Sequence, residues 1–164
     1  MSFPAWIPAY IGVGSNLNDP QTQVREGLGA LATIPNTRLL ACSRLYRSAP
    51  LGPQDQPHYV NAVAGLLTQL DAGALLVQLK QLEQEQGRAQ PIVRWGPRVI
   101  DFDVLVFGSL RIDNDILRVP HAGIAERGFV LRPLMDVAPD LEIPGLGPVA
   151  ALAARCDMIG LQVL

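Results

Sequence analysis

The order of the strand-like and helix-like segments limits the folds open to this chain more than any other feature of the sequence. Residues 9–17 read as a short strand that ends in a glycine-rich turn, and Asp19 caps a helix that begins at Pro20. A second helix has Asp71 as its N-cap, a stripe of leucines and Gly87 at its end. The predicted elements up to residue 108 are, in order, a strand (9–17), a helix (from 20), two strands (37–48 and 58–70), a helix (71–87), a loop (88–97) and a strand (to 108).

A β-α-β-β-α-β order is the ferredoxin-like arrangement, in which an antiparallel sheet packs against helices. The expected fold class is therefore α+β. Further along the chain, residues 129–139 favour a short helix interrupted by Pro133, with a strand as the alternative, and the tail from about Val149 reads as a small helix. No repeat, low-complexity tract or linker divides residues 1–164, so we expect a single domain.

Composition and charge exclude several classes of function. The chain has 164 residues, of which 49% are hydrophobic and 17% charged, as in a compact globular domain. Its formal net charge of −2 provides no general attraction to nucleic acid or to an anionic membrane, and no apolar run has the length of a bilayer span. Cys42 and Cys156 match no zinc-binding or disulfide spacing, so we expect a cytoplasmic location.

Two aspartates in the strand before residue 108 are the first candidates for chemistry. Asp101 and Asp103 lie in the stretch RWGPRVIDFDVLVFG, so both point to one face while Phe102 and Val104 point to the other. Two partly buried anions roughly 6 to 7 Å apart repel each other unless a cation is bound. Mg²⁺ prefers such oxygen ligands together with substrate phosphates. The alternative is a pair of surface aspartates neutralised by nearby arginines.

Basic and aromatic residues around this strand are compatible with phosphate chemistry. Twelve of the thirteen basic residues are arginines, whose planar guanidinium suits phosphate oxygens, although a compositional bias of the genome explains the excess equally well. A loop that carries arginines can close over a triphosphate and exclude water. A histidine after the strand can donate to a phosphate, but a lone histidine after proline is also typical of a structural position. The candidates are Arg88, Arg94, Trp95 and Arg98 in the preceding loop, with His121 and Arg127 after the strand.

A tyrosine and an asparagine share one face of another predicted strand. In the stretch HYVNA, Tyr59 and Asn61 place an aromatic ring beside an amide that can both donate and accept hydrogen bonds. Such a pair can stack on and hydrogen-bond a flat heterocycle, with Phe129 and Trp95 as possible opposing aromatic walls. Ordinary sheet surface is the alternative for the same two residues.

Four longer stretches carry a family resemblance. They are GSNL (14–17), YRSAPLGPQDQPHYVNAV (46–63), EQGRAQPIVRWGPRVIDFDVLVFG (85–108) and VPHAGIAERGFVLRPLMDVAPDL (119–141). Together they resemble the 6-hydroxymethyl-7,8-dihydropterin pyrophosphokinase family of folate biosynthesis. The resemblance implies a three-layer α/β/α ferredoxin-like fold with helices on both faces of the sheet. It also implies that pyrophosphate moves from ATP to the pterin hydroxymethyl group, which leaves AMP.

The resemblance further implies the partners and the residues of the site. The partners would be ATP and the pterin, with no nucleic acid and no membrane, and the protein would act as a monomer. Asp101 and Asp103 would bind two Mg²⁺ ions, and Arg88 and Arg98 would be catalytic. The residues implied for nucleotide and phosphate binding are Lys80, Glu83, Arg88, Trp95, Arg98, Val104, Leu117, Arg118, His121 and Arg127. Those implied for the pterin are Ser48, Ala49, Leu51, Tyr59, Asn61, Trp95 and Phe129.

Two other classes of function stay open on the residues alone. A ferredoxin-like domain also serves as a regulatory module that binds a small molecule, or as a structural interaction domain. A regulatory module needs neither a metal nor a loop that carries arginines. Mg²⁺-dependent binding of ATP would therefore separate an enzyme from both alternatives.

Overall fold

An antiparallel sheet forms the centre of the fold, and helices pack on both of its faces. The computed structural model describes residues 4–49, 56–87 and 99–164. The longer strands are β1 (Ile7–Ser15), β2 (Thr37–Cys42), β3 (Tyr46–Ser48), β4 (Tyr59–Thr68) and β5 (Asp101–Phe107). The two-residue strands are β6 (Ile112–Asp113), β7 (Arg118–Val119), β8 (Glu142–Ile143), β9 (Gly147–Pro148) and β10 (Gln162–Val163). The helices are α1 (Pro20–Ala30), α2 (Ala72–Gly87), α3 (Gly128–Val137) and α4 (Val149–Arg155).

The strand order is that of the ferredoxin-like arrangement, so the predicted fold class is confirmed. β5 pairs with β1, β1 pairs with β4, and both β2 and β3 pair with β4, all antiparallel. The strand predicted at 37–48 is thus interrupted between β2 and β3. At the interruption, the Ser43 N–H donates to the Val63 carbonyl (2.8 Å), and its hydroxyl accepts from the Val63 N–H (2.8 Å). β10 extends the sheet beyond β3.

Two hydrophobic cores lie on opposite faces of the sheet, because side chains alternate along each strand. The core beneath α1 and α2 contains Phe102 and Val104, as the alternation around the two aspartates predicts. The core beneath α3 and α4 contains Val63 and Leu105 together with Leu131 of α3. The side chains of Asp101 and Asp103 therefore project on the α3 side of the sheet.

The helix ends follow the sequence signals in part. Asp71 caps α2, since its Oδ1 accepts the Ala74 N–H at 2.7 Å. Asp19 does not cap α1 through its side chain, which instead accepts the Thr22 hydroxyl at 2.8 Å. The helix favoured for residues 129–139 is confirmed as α3, but the predicted interruption at Pro133 is wrong, since α3 continues through it. In the described ranges of the chain, no helix has the length and apolar character needed to cross a membrane.

Candidate active site

Two glycines of β1 lie between polar side chains from the neighbouring strands. Gly14 is opposite Asp101 of β5 on one side and opposite Asn61 of β4 on the other, and Gly12 is opposite Asp103. Opposed residues of antiparallel strands project from the same face, so the three residues of the Gly14 row share the α3 side. Two strand spacings, about 10 Å, separate the backbones of Asp101 and Asn61. Carboxylates and an amide thus flank a glycine strip, defined as Gly12 and Gly14.

Among the described residues, the site has three carboxylates, Asp101, Asp103 and Glu83, near two cations, Lys80 and Arg127. Burial, followed by the negative charges of Asp101 and Glu83, raises the pKa of the Asp103 carboxyl to about 7. Lys80 and Arg127 lower that pKa only in part. Burial likewise raises the pKa of the Glu83 carboxyl to about 7, and the neighbouring Asp101 raises it further. Within the described part of the chain these carboxylates are thus only partly neutralised, which favours a bound cation.

Glu83 of α2 fixes the start of β5. Its Oε2 accepts the backbone N–H of Phe102 at 2.8 Å, and its Oε1 lies 3.4 Å from Nζ of Lys80. Because Phe102 separates the two aspartates, this hydrogen bond holds the peptide that carries both of them. The Phe102 N–H points away from β1, toward the outer edge of β5. Hydrogen-bonding groups alternate between the two edges of a strand, so the N–H and C=O of Val104, two residues later, point to the same outer edge.

The donor set fits Mg²⁺ that takes most of its ligands from substrate and water. Asp101 and Asp103 supply hard oxygen donors on one face of β5. Within residues 4–49, 56–87 and 99–164, no three His, Cys, Asp or Glu side chains are arranged to hold a metal by themselves. Mg²⁺ commonly binds through one or two carboxylates plus phosphates, so two aspartates without a third protein ligand suit that ion.

The amide of Asn61 is buried and oriented by two neighbours. Its Nδ2 donates to the Ser48 hydroxyl at 2.8 Å, and a Cβ placed on Gly14 would lie 2.9 Å from its Oδ1. Position 14 therefore needs glycine, because any side chain there would displace the amide. Tyr59 is half-buried on the same face, two residues before Asn61, and Ala49 is exposed directly after Ser48. The predicted amide and aromatic ring do lie side by side.

His121 is half-buried near Asp101 and Arg127, and its ring is held in one orientation. The backbone N–H of His121 donates to the Leu105 carbonyl at 2.9 Å, and the ring Nδ1 accepts the Gly123 backbone N–H at 3.1 Å. Burial, followed by the positive charge of Arg127, lowers the pKa of the imidazole. The ring is therefore neutral at pH 7, with the proton on Nε2 as a donor. The Arg127 guanidinium lies 5.8 Å from the ring centroid of Phe129.

The side chains predicted for the nucleotide fall into two environments. Val104 is buried in the α1/α2 core and Leu117 packs against that core, so only the backbone of Val104 can face a ligand. Arg118 and Lys80 are exposed. The remaining predicted residues, Leu51, Arg88, Trp95 and Arg98, lie outside the described residues.

Two further polar residues belong to the site region, and the sequence analysis assigned them no role. Asn16 follows β1, and its Nδ2 donates to Oε1 of Gln56 (2.9 Å) and to the Pro57 carbonyl (3.0 Å). Both side chains are buried, so the turn after β1 holds the segment that enters β4. The sequence signal for this contact was that Asn16 lies in the GSNL stretch (14–17) and Gln56 in the stretch 46–63, both of which carry the family resemblance.

Comparisons with known proteins agree on one family. The family model described as 7,8-dihydro-6-hydroxymethylpterin-pyrophosphokinase matches residues 10–139. A 2-amino-4-hydroxy-6-hydroxymethyldihydropteridine pyrophosphokinase of Pseudomonas aeruginosa is 46% identical over 155 residues, which cover 94% of this chain and 95% of that protein. The protein of the same name from Haemophilus influenzae is 47% identical over 138 residues, which cover 84% of this chain and 86% of that protein.

Solved structures support the fold. A crystal structure of Plasmodium falciparum HPPK-DHPS, wild type with pteroate, matches 94% of this chain with a TM-score of 0.73. The sequence identity is 14%, and the match spans 43% of that longer chain. A second structure of the same protein, the A437G form with STZ-DHP, gives a TM-score of 0.72.

Proposed function

The chain belongs to the 7,8-dihydro-6-hydroxymethylpterin-pyrophosphokinase family, and we infer that it transfers pyrophosphate to 6-hydroxymethyl-7,8-dihydropterin in folate biosynthesis. Pyrophosphokinase activity implies ATP as the co-substrate. The pterin hydroxyl oxygen forms a bond to the β-phosphorus of ATP, and the bond from that phosphorus to the α–β bridging oxygen breaks. AMP leaves with the bonding electrons, and the hydroxyl proton is released to solvent.

Asp101 and Asp103 are the proposed carboxylates for two Mg²⁺ ions. The carboxylates around Asp103, which the described cations offset only in part, support this assignment, as does the preference of Mg²⁺ for oxygen ligands. Bound Mg²⁺ would neutralise the charge that develops on the phosphate oxygens. Glu83 acts through the Phe102 N–H, which it holds at 2.8 Å, to keep the two aspartates on one face.

The pterin is proposed to bind on the opposite side of the glycine strip. The buried Asn61 amide would read the edge of the ring together with backbone groups around Ser48, Ala49 and Leu51. Tyr59 and Phe129 would stack on its faces. The Asn61–Ser48 hydrogen bond of 2.8 Å supports this role, because an amide held in one orientation can distinguish donors from acceptors on a heterocycle.

ATP is proposed to lie along the outer edge of β5. The backbone of Val104, with Leu117, Arg118 and Lys80 nearby, would contact the adenine and ribose. The Nε2–H of His121 and the Arg127 guanidinium would donate to phosphate oxygens. For Arg88, Trp95 and Arg98 the proposal rests on the family resemblance, with the two arginines stabilising the transferred group.

The observation that carries the proposal is the row Asp101–Gly14–Asn61. Aspartate and asparagine lie on strands that flank a glycine, about 10 Å apart along the backbone. A pterin held by the amide would thus extend its hydroxymethyl group over the glycine strip toward phosphates held near the carboxylates. A regulatory module or a structural domain has no need of this pairing.

Product analysis tests the function and the metal separately. Purified protein with ATP, Mg²⁺ and 6-hydroxymethyl-7,8-dihydropterin is expected to release AMP and pterin diphosphate in equal amounts. The reaction should stop when the pterin is left out or EDTA exceeds Mg²⁺. Formation of ADP, or no turnover in the complete reaction, would contradict the proposed function. Unchanged AMP release in EDTA would contradict the metal assignment alone.

A matched pair of amide variants tests the pterin site. Asn61→Ala should raise the KM for the pterin about 10-fold, since loss of a buried hydrogen-bonding group costs about 1–2 kcal/mol, and should leave the KM for ATP within about twofold. Gln81→Ala, which removes an exposed amide on α2, should change neither constant. An equal pterin KM in both variants would contradict the assignment of Asn61.

We further propose that the chain is a single domain and acts as a cytoplasmic monomer. One sheet serves both hydrophobic cores, which supports a single domain. Both cysteines, Cys42 and Cys156, are free thiols, which is the usual state in a reducing compartment. Light scattering during size exclusion would give the mass in solution, and a dimer mass would contradict the monomer.

A further inference from the structure

A cluster of charged and aromatic side chains joins α3 to the β2–β3 edge of the sheet, outside the residues assigned to chemistry. The Asp136 carboxylate accepts the Tyr46 hydroxyl at 2.6 Å and Nη2 and Nε of Arg44 at 3.0 and 3.3 Å. Nη1 of Arg132 lies 3.5 Å from the same carboxylate. The guanidinium groups of Arg44 and Arg132 lie 5.7 and 5.8 Å from the Tyr46 ring centroid. These four residues are called the Asp136 cluster.

The helix itself does not explain the aspartate. Asp136 is the penultimate residue of α3, where the negative end of the helix dipole disfavours an anion. Its side chain is nevertheless only 14% exposed. The carboxylate is therefore stabilised against the helix dipole by Tyr46 of β3 and Arg44 just before β3, with a weaker contribution from Arg132 of the same helix.

Both partners of the Tyr46–Asp136 hydrogen bond lie on elements that carry residues of the proposed pterin site. Tyr46 is opposite Asn61 in the β3–β4 register, so both side chains share the α3 side of the sheet. Ser48, which accepts the Asn61 amide, is two residues further along β3. At the other partner, Phe129 is seven residues before Asp136 on α3, which is about 10 Å along the helix axis.

We propose that the Asp136 cluster is a positioning element for pterin recognition, which rests on the proposed function. The Tyr46–Asp136 hydrogen bond fixes the separation between β3, which orients the Asn61 amide for the ring edge, and α3, which carries the Phe129 ring for the ring face. Phe129 and Asp136 lie two turns apart on one helix, so a shift of Asp136 is passed to Phe129 through the turns that contain Pro133. Displacements near 1 Å are enough to weaken recognition severely.

Tyr46→Phe and Asp136→Asn test the inference, because each removes the hydrogen bond while keeping a side chain of similar volume. Both should raise the dissociation constant for 6-hydroxymethyl-7,8-dihydropterin, measured by titration calorimetry with a non-hydrolysable ATP analogue present, by about 5- to 10-fold. Affinity for the ATP analogue alone should stay within about twofold. A purely structural cluster would not produce this division between the two ligands.

Ile143→Val is the matched control, since it weakens the same α3/α4 core without touching the cluster. Its pterin affinity should equal that of the wild type. Pterin affinity within twofold of this control in both test variants would overturn the positioning role. A wild-type protein that binds no pterin would instead overturn the proposed function, and the positioning role with it.

Discussion

Two carboxylates on the α3 side of the sheet, Asp103 and Asp136, have opposite electrostatic surroundings. Around Asp136, burial raises the pKa, but hydrogen bonds from Arg44 and Tyr46 outweigh it, and the net pKa is lowered. Around Asp103, burial and two further carboxylates raise the pKa to about 7, and nearby cations compensate only in part. Donors from Arg44 and Tyr46 lower the pKa of Asp136, whereas the cations near Asp103 among the described residues leave its pKa raised.

We interpret Asp136 as a carboxylate that stabilises the fold and Asp103 as one that the proposed function assigns to a cation. A buried anion with enough donors contributes to stability, and one without them costs stability until a cation binds. Residue type alone does not make this distinction, since both positions are aspartates. Removal of charge at each position should therefore give effects of opposite kind.

The largest expected effect is on turnover. Asp103→Asn removes a negative oxygen donor for Mg²⁺ and should lower kcat by at least about 100-fold, as loss of a preorganised electrostatic group does. Asp136→Asn should leave kcat at saturating pterin within about threefold. AMP release at saturating Mg²⁺ measures both. Near-normal turnover of the Asp103 variant would remove Asp103 from the metal site.

The second effect is a gain in stability at the proposed metal site. The raised pKa means that folded Asp103 keeps its proton up to about pH 7, whereas an unfolded aspartate loses it near pH 4. Stability without metal should therefore fall as pH rises from about 4 to 7, because the folded state binds more protons. Asp103→Asn removes this cost and should raise the free energy of unfolding by up to about 4 kcal/mol at pH 8 in EDTA. Urea unfolding measures the change, and destabilisation would contradict the prediction.

The third effect is a loss of stability at the Asp136 cluster. The lowered pKa of Asp136 contributes stability above its unfolded pKa near 4, and that contribution is lost as pH falls below it. Asp136→Asn should lower the free energy of unfolding at pH 8 by about 1–2 kcal/mol. The loss should shrink as the pH falls below about 4 and through the lowered pKa of the folded carboxyl, where the wild-type side chain becomes protonated too. A loss that is independent of pH would show that packing, and not charge, stabilises the cluster.

Much of the fold was predictable because local patterns and packing agree. The leucine stripe and Asp71 cap of α2, and the alternation around Phe102, lead to the same sheet that the structure has. The interruption at Ser43 was not predictable, because its hydroxyl substitutes for a ladder contact only once β4 is beside it. The strand β10 was missed for a similar reason, since two residues carry too little pattern to indicate a strand.

The sequence predicted the residue types of the candidate site and the strand faces on which they lie, but not the balance of charge around them. Asp101 and Asp103 were identified from alternation, and Asn61 from its neighbour Tyr59. The hydrogen bond from Phe102 to Glu83 joins residues 19 positions apart, so no spacing rule indicates it. The contact between Tyr46 and Asp136 spans 90 positions and depends on the tertiary fold in the same way.

A smaller effect is expected at Glu83, whose carboxyl has a raised pKa, as Asp103 has, but accepts a protein hydrogen bond, as Asp136 does. Glu83→Gln keeps an oxygen that can accept the Phe102 N–H and removes only the charge. Affinity for a Mg²⁺-bound ATP analogue should fall by roughly fivefold, a loss of about 1 kcal/mol of charge interaction. Glu85→Gln, an exposed position on α2, is the matched control and should have no effect. Titration calorimetry compares the two, and equal affinities would exclude a role for the Glu83 charge.

The smallest effect should come from Arg132, the outer member of the Asp136 cluster. Its side chain is 43% exposed and lies 3.5 Å from Asp136, so solvent screens the pair. Arg132→Gln should change the free energy of unfolding by less than about 0.5 kcal/mol, as exposed ion pairs do. Tyr46→Phe, which removes a short hydrogen bond from a buried ring, should cost about 1 kcal/mol. Equal urea midpoints for the two variants would mean that the Tyr46 hydroxyl contributes no more stability than the exposed Arg132 ion pair. The donor that satisfies Asp136 would then be Arg44, and the contrast with Asp103 would be one of ion pairing alone.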